Sequence, residues 1–163
     1  DIAVVELLFA TGIRVSELCE LSCDAVDLKQ ATIKVFGKGS KERVIQICSV
    51  EVLKILRQYQ RLFAPSKCFF INRLGNRLSS QSVRLLIKRC REEIGIGKKI
   101  TPHTFRHTFA TLLLEEDVDI KYIQNLLGHS SITTTQIYTH VNMNKQKKIL
   151  SSKHPRKKME MEE

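Results

Sequence analysis

The chain has 163 residues, 42% hydrophobic and 27% charged, with a formal net charge of +10. That length and balance suit one packed domain and argue against wholesale disorder. Its apolar runs, such as Leu7 to Ala10, fall far short of the roughly 20 residues a membrane helix needs, and Glu6 breaks the first of them behind an acidic start that does not look like a secretory signal. The expectation is a soluble cytoplasmic domain with no membrane partner. An apolar helical stretch, Ile2 to Ala10, closes at Thr11-Gly12, and a short helix through Val15, Leu18 and Leu21 follows. Thr32 to Phe36 and Glu42 to Ile47 alternate as strands around the turn residues Gly37-Lys38-Gly39-Ser40, which predicts a β-hairpin. Ser49 caps a helix through Val52, Leu53, Leu56 and Tyr59 that stops before Pro65. Cys68 to Ile71 reads as a short buried strand and Leu74-Gly75-Asn76 as a turn.

Ser79 or Ser80 opens an amphipathic helix with Val83, Leu86, Ile87 and Cys90 on its apolar face, ended by Gly95 and Gly97. Thr101-Pro102 is a helix start, a threonine cap followed by proline, and the helix should run to about Leu114. Asp119 caps another, through Ile120, Ile123, Leu126 and Leu127, ended by Gly128. Ser130 or Ser131 starts a shorter helix carrying Tyr138, residues 143–150 form a last one, and 151–163 is expected to be a mobile tail. The fold class is therefore mainly α with a small β-hairpin or sheet.

Charge is unevenly spread. Residues 1–33 hold two basic and six acidic side chains, whereas 67–110 hold ten basic against Glu92 and Glu93. The excess lies inside the elements and not in the tail, so a polyanion such as nucleic acid is the natural partner. Five cysteines without a CxxC pair, in the absence of a secretory signal, read as free and mostly buried thiols in a reducing compartment. His103 and His107 lie four apart, but no HExxH frame or third ligand accompanies them, and no metal or cofactor is expected.

Several polar residues sit at element boundaries instead of on plain solvent faces. Arg14 follows the Thr11-Gly12 break, Lys38 lies between two glycines, and His103 and Arg106 share a face at a helix N-terminus, where phosphate is favoured. His129 follows Gly128, and Tyr138 comes nine residues later. Two arginines, a lysine, two histidines and a tyrosine suit phosphoryl transfer without a metal: arginine forks match phosphate oxygens, lysine or histidine moves protons, and tyrosine can act as nucleophile. Taken singly, each would more often be a solvated or structural residue. Tyr59 and Tyr122, at apolar helical spacing, read as packing residues.

Their order changes that balance. Ala10-Thr-Gly-Ile-Arg14-Val-Ser-Glu-Leu18, Gly37-Lys38-Gly39-Ser-Lys41, Thr101-Pro-His103-Thr-Phe-Arg106-His107, Leu126-Leu-Gly128-His129 and Thr133 to His140 around Tyr138 together resemble the catalytic domain of the tyrosine recombinase (phage integrase) family. The resemblance covers residues 1 to about 150, and Tyr138-Thr-His-Val with the later His154-Pro-Arg156 looks like its Xer branch or mobile-element relatives.

The resemblance implies a tyrosine recombinase catalytic domain fold over 1–150 with a basic and acidic tail over 151–163. It also implies an N-terminal core-binding domain that this chain does not contain. Arg14 and Arg106 would clamp the scissile phosphate, with His129 donating a further hydrogen bond. Tyr138 would attack to form a 3′-phosphotyrosyl link, Lys38 would protonate the leaving 5′-oxygen, and His103 would assist as base or phosphate contact. Glu17 reads equally as a supporting carboxylate or a surface residue, and His107 as structural. Arg84, Lys88, Arg89, Arg91, Lys98 and Lys99 are candidates for phosphate contacts along double-stranded DNA, a salt-dependent term with little sequence information. The activity implied is site-specific DNA recombination without metal or ATP, on a bacterial nucleoid. The protein would be a monomer when free and would form a tetrameric synapse on DNA through its C-terminal segment. Type IB topoisomerase-like cleavage and a catalytically idle duplex-binding module are the alternatives.

Overall fold

The computed structural model describes residues 1–37, 42–63, 66–128 and 140–154. Helix α1 (Ile2–Thr11) is apolar almost all the way round and is buried accordingly, with Ala3, Val4, Leu7, Leu8, Phe9, Ala10 and Thr11 out of solvent. It is the central element and packs on α3 (Val50–Phe63) and α5 (Pro102–Glu115). Gly12 ends it in the left-handed conformation, φ 60°. A Cβ at Gly12 would lie 2.7 Å from Phe109 Cδ1 and 2.8 Å from a Leu127 methyl, so backbone conformation and close packing both require glycine there.

Helix α2 (Val15–Glu20) and one 3₁₀ turn, Cys23–Ala25, lead into a three-stranded antiparallel sheet ordered β1 (Val26–Asp27), β2 (Thr32–Phe36), β3 (Glu42–Gln46). The hairpin β2–β3 forms with Ile33 opposite Ile45 and Val35 opposite Arg43. Two residues are too few for β1 to show an alternation. It forms because Asp27 accepts hydrogen bonds from the Lys29 and Gln30 amides and turns the chain back, placing Val26 opposite Ile33. The expected strand at 68–71 is not one. Phe69 and Phe70 are buried, but the segment makes only the isolated bridges Ser22↔Cys68 and Ile71↔Arg77.

Helix α4 (Ser80–Ile94) starts on the Ser79 cap and stops at left-handed Gly95; α5 starts on the Thr101 cap with Pro102 in its first turn. Helix α6 (Ile120–Leu127) starts on Asp119, whose carboxylate accepts from the Lys121 and Tyr122 amides, and stops at left-handed Gly128. The helix expected around Tyr138 lies outside the described residues. The last helix, α7 (His140–Lys153), is longer than the 143–150 expected, and it runs into the segment assigned to a mobile tail. Leu150 and His154 are buried. The imidazole Nε2 of His154 donates to the Ala10 carbonyl (2.7 Å), its ring packs edgewise on Phe109, and Lys153 bonds the Glu116 carbonyl. Residues 155–163 lie outside the described residues.

Two hydrophobic clusters result. The larger joins α1, α2, the sheet, α3, Phe69-Phe70 and α4; the smaller joins Phe109, Leu113, Val118, Ile123, Leu126, Leu127 and Leu150. All five cysteines are free, as expected, although only Cys19 is fully buried. Because Leu150 closes the smaller cluster, Leu150→Ala should cost about 2–4 kcal/mol in chemical denaturation. It should also speed alkylation of Cys48, whose Sγ lies against the Lys147 carbonyl of α7 at 4.0 Å.

Candidate active site

Arg14 stands at the N-terminus of α2, just past the turn at Gly12. Glu17, three residues on, is 5% exposed. One of its oxygens accepts the Arg14 amide (3.0 Å) and the other an Arg14 guanidinium nitrogen (2.9 Å). Arg43 reaches the same carboxylate from β3, giving one 2.8 Å bond to each oxygen. Arg106, from the first turns of α5, is buried beside them.

The three arginines meet at the end of α6. The Nε of Arg43 donates to the Leu126 carbonyl (3.2 Å), Arg106 to the Leu127 carbonyl (2.7 Å) and Arg14 to the Gly128 carbonyl (2.9 Å). The second fork nitrogen of Arg106 holds the Gly12 carbonyl (2.7 Å). The last carbonyls of a helix lack partners within it and carry the negative end of its dipole, so cationic donors are favoured there. Gly128 has φ +69°, and a Cβ on it would sit 2.8 Å from an Arg43 nitrogen, so only glycine lets the guanidinium lie this close.

One carboxylate faces three cations. Burial alone would push the Glu17 carboxyl up, but the hydrogen bonds and charge of Arg43, followed by the hydrogen bonds of Arg14, hold it below its ordinary value of 4.5. Arg106 goes the other way: burial first, then the like charges of Arg14 and Arg43, bring it down to about 10, with Glu17 opposing. Among the described residues, three cations thus stand against one carboxylate. An anion with hydrogen-bond acceptors, such as a phosphate group, would complete the cluster.

Of the predicted site residues, the structure brings Arg14 and Arg106 together. His103 is exposed on the first turn of α5, so it and Arg106 start from one side of the helix but only the arginine turns inward. His107 is exposed as well. Lys38, His129 and Tyr138 lie outside the described residues; His129 is the residue directly after Gly128. Glu17, left open from sequence, is buried in the centre. Arg43 was missed, although the strand alternation carried a signal: it shares the inward face of β3 with Ile45. Of the proposed DNA-contacting set, Arg84, Lys88, Arg89, Lys98 and Lys99 are exposed, while Arg91 is half-buried and leans on Glu92 at 3.2 Å.

Two expectations follow from the charges. The Glu17 carboxyl is lower in the folded protein than in the unfolded chain, so its stabilising contribution is complete above pH 4.5 and lost as the pH falls below it. Urea denaturation at neutral pH should show Glu17→Gln destabilised by about 3–5 kcal/mol, because Arg43 is left buried without its counter-charge. That gap to wild type should narrow as the pH falls below 4.5. Arg106 is protonated in both states below about pH 10, so its desolvation cost is constant there and an anion can relieve it. Inorganic phosphate at about ten times its Kd should raise the thermal midpoint by roughly 3–6 °C over chloride of equal ionic strength. Arg106→Ala should abolish the difference.

The model of the phage integrase family matches residues 1–145. A tyrosine recombinase of Agathobacter rectalis is 56% identical over 161 residues, covering 96% of this chain and 53% of the relative. The chain thus spans about half the length of that curated relative. The crystal structure of XerA recombinase superposes with a TM-score of 0.74 at 36% identity, covering 92% of this chain and 56% of that one. XerH site-specific recombinase, bound to its difH substrate in a pre-cleavage complex, gives a TM-score of 0.69 at 28% identity over 91% of this chain and 45% of that one. The mostly helical architecture with a small antiparallel sheet is that of tyrosine recombinase catalytic domains. With 145 of its 163 residues inside the family match and its two predicted arginines converging on one buried site, the chain belongs to the phage integrase family of tyrosine recombinases.

Proposed function

We propose that the chain is the catalytic domain of a site-specific DNA recombinase, which cleaves and rejoins double-stranded DNA through a 3′-phosphotyrosyl intermediate. The observation that carries this reading is the pair Arg14 and Arg106, which share the α6 C-terminus in a cluster of three cations and one carboxylate. A merely duplex-binding module would have no use for a charge arrangement this costly to bury, so the idle alternative is not favoured.

In this reading the Tyr138 phenol oxygen attacks the scissile phosphorus, and the bond to the 5′-oxygen breaks. Arg14 and Arg106 neutralise the charge that grows on the non-bridging oxygens, with His129 adding a hydrogen bond. Lys38 gives its proton to the departing 5′-oxygen, and His103 serves as base toward the phenol or as a further phosphate contact. The phosphodiester energy is retained in the tyrosyl link, so the 5′-hydroxyl of a second strand reverses the step and no ATP is consumed. Charge stabilisation by arginine leaves no step that needs a metal.

Around this centre, Arg84, Lys88, Arg89, Lys98 and Lys99 would follow the duplex backbone, with Arg91 a weaker contributor because Glu92 holds it. The full activity involves a longer protein acting on DNA in the cytoplasm, with four copies in a synapse and the C-terminal segment linking protomers. Helix α7, seated on its own chain through Leu150 and His154, supports a free monomer that keeps this segment to itself.

The test is a nicked suicide duplex carrying the recombination site. The full-length protein should form a covalent adduct, Tyr138→Phe should form none, and EDTA should leave the yield unchanged. No adduct from wild type, or an adduct that survives Tyr138→Phe, overturns the assignment.

A further inference from the structure

Arg43 has no part in the chemistry outlined above, yet all three of its guanidinium nitrogens are bonded within the cluster. It is 5% exposed, and its side chain makes the bidentate bonds to Glu17 and the bond to the Leu126 carbonyl. Glu17 divides its oxygens evenly. Oε1 accepts one nitrogen from Arg14 and one from Arg43; Oε2 accepts the Arg14 amide and the other Arg43 nitrogen. Among the described residues, the only side-chain partner of the Arg14 guanidinium is therefore a carboxylate that Arg43 holds through both oxygens. Its other partner, the Gly128 carbonyl, belongs to a turn whose glycine lies against the Arg43 guanidinium.

We infer that Arg43 is a positioning residue for the phosphate clamp: it locks Glu17 and the end of α6, and through both it sets the direction in which Arg14 presents its guanidinium. This rests on the strand-cleavage reading of the same site. The fork is what matters, since a lysine would supply the charge but could neither span both oxygens nor reach Leu126 at the same time. Arg14 is the more exposed member, with its side chain 36% exposed against 6% for Arg43, so loss of the lock falls on the residue proposed to meet the phosphate.

The distinguishing measurement uses two suicide duplexes in single turnover at saturating DNA. One carries the ordinary scissile phosphodiester, the other a methylphosphonate in which a methyl replaces one non-bridging oxygen. The methyl removes the charge that the clamp neutralises, so a misdirected Arg14 matters less on that substrate. Arg43→Lys should lower the cleavage rate on the phosphodiester by about 10²-fold, the cost of misplacing a catalytic group by roughly an ångström. On the methylphosphonate it should cleave within a few-fold of wild type, with duplex affinity and the folded circular dichroism spectrum retained. Arg43→Met, which fills the space without the fork, should show the same substrate ratio wherever it folds. Equal loss on both substrates marks a structural residue only and overturns the inference, as does an unchanged rate on the phosphodiester. Absence of any adduct from the wild-type protein is a different failure: it removes the strand-cleavage reading itself, and this inference with it.

Discussion

The site is organised by three guanidiniums bonded to three successive carbonyls. Leu126, Leu127 and Gly128 end a helix of only eight residues, and each of their carbonyls takes one arginine, from β3, α5 and the start of α2 respectively. A helix this short gains little from its own hydrogen bonds. Its position depends on the apolar face carrying Ile123, Leu126 and Leu127 and on these cationic donors at its negative end. The same bonds fix the arginines, so the charged groups and the backbone that holds them are ordered together.

That arrangement explains where the site lies. Arg106 sits in α5 between Phe105, which packs on the larger apolar cluster, and Phe109, at the heart of the smaller one. Buried apolar surface on both sides stabilises the fold, while the seam between them holds polar groups whose burial is unfavourable. The proposed function draws on the unfavourable part. Glu17 relieves some of it, and the remainder is a standing deficit of negative charge suited to a phosphodiester. Helix α7 closes the far side of the smaller cluster, so the C-terminal segment is tied to the packing beneath the site through Leu150, His154 and Phe109.

Much of this was legible in the sequence because it depends on local rules. The helix starts at Thr101 and Asp119, the stops at Gly12 and Gly128, and the strands β2 and β3 each follow from a cap, a left-handed glycine or β-branched alternation. So do the start at Ser79 or Ser80, which the structure places at Ser79, and the stop at Gly95 and Gly97, which it places at Gly95. The misses share a cause. Strand β1 exists only through its pairing with β2, the 68–71 segment is buried without sheet partners, and α7 is extended by contacts with Ala10 and Glu116 far away in the chain.

At the site itself, the order of residues determined which chemistry was in reach: arginines at two boundaries, a lysine between glycines, histidines and a late tyrosine. That inference needs only residue types and spacing, since the functional groups of phosphoryl transfer are few and the family order is specific. The tertiary structure decided which charges share one dielectric environment. Glu17 could not be told from a surface carboxylate, nor Arg43 from a solvated strand residue. Their burial depends on a contact across 26 positions, and the three arginines reach carbonyls 21 to 114 positions distant. Local sequence carries propensity and period; the energy of a buried ion cluster is set by what surrounds it, and that is settled only when the elements pack.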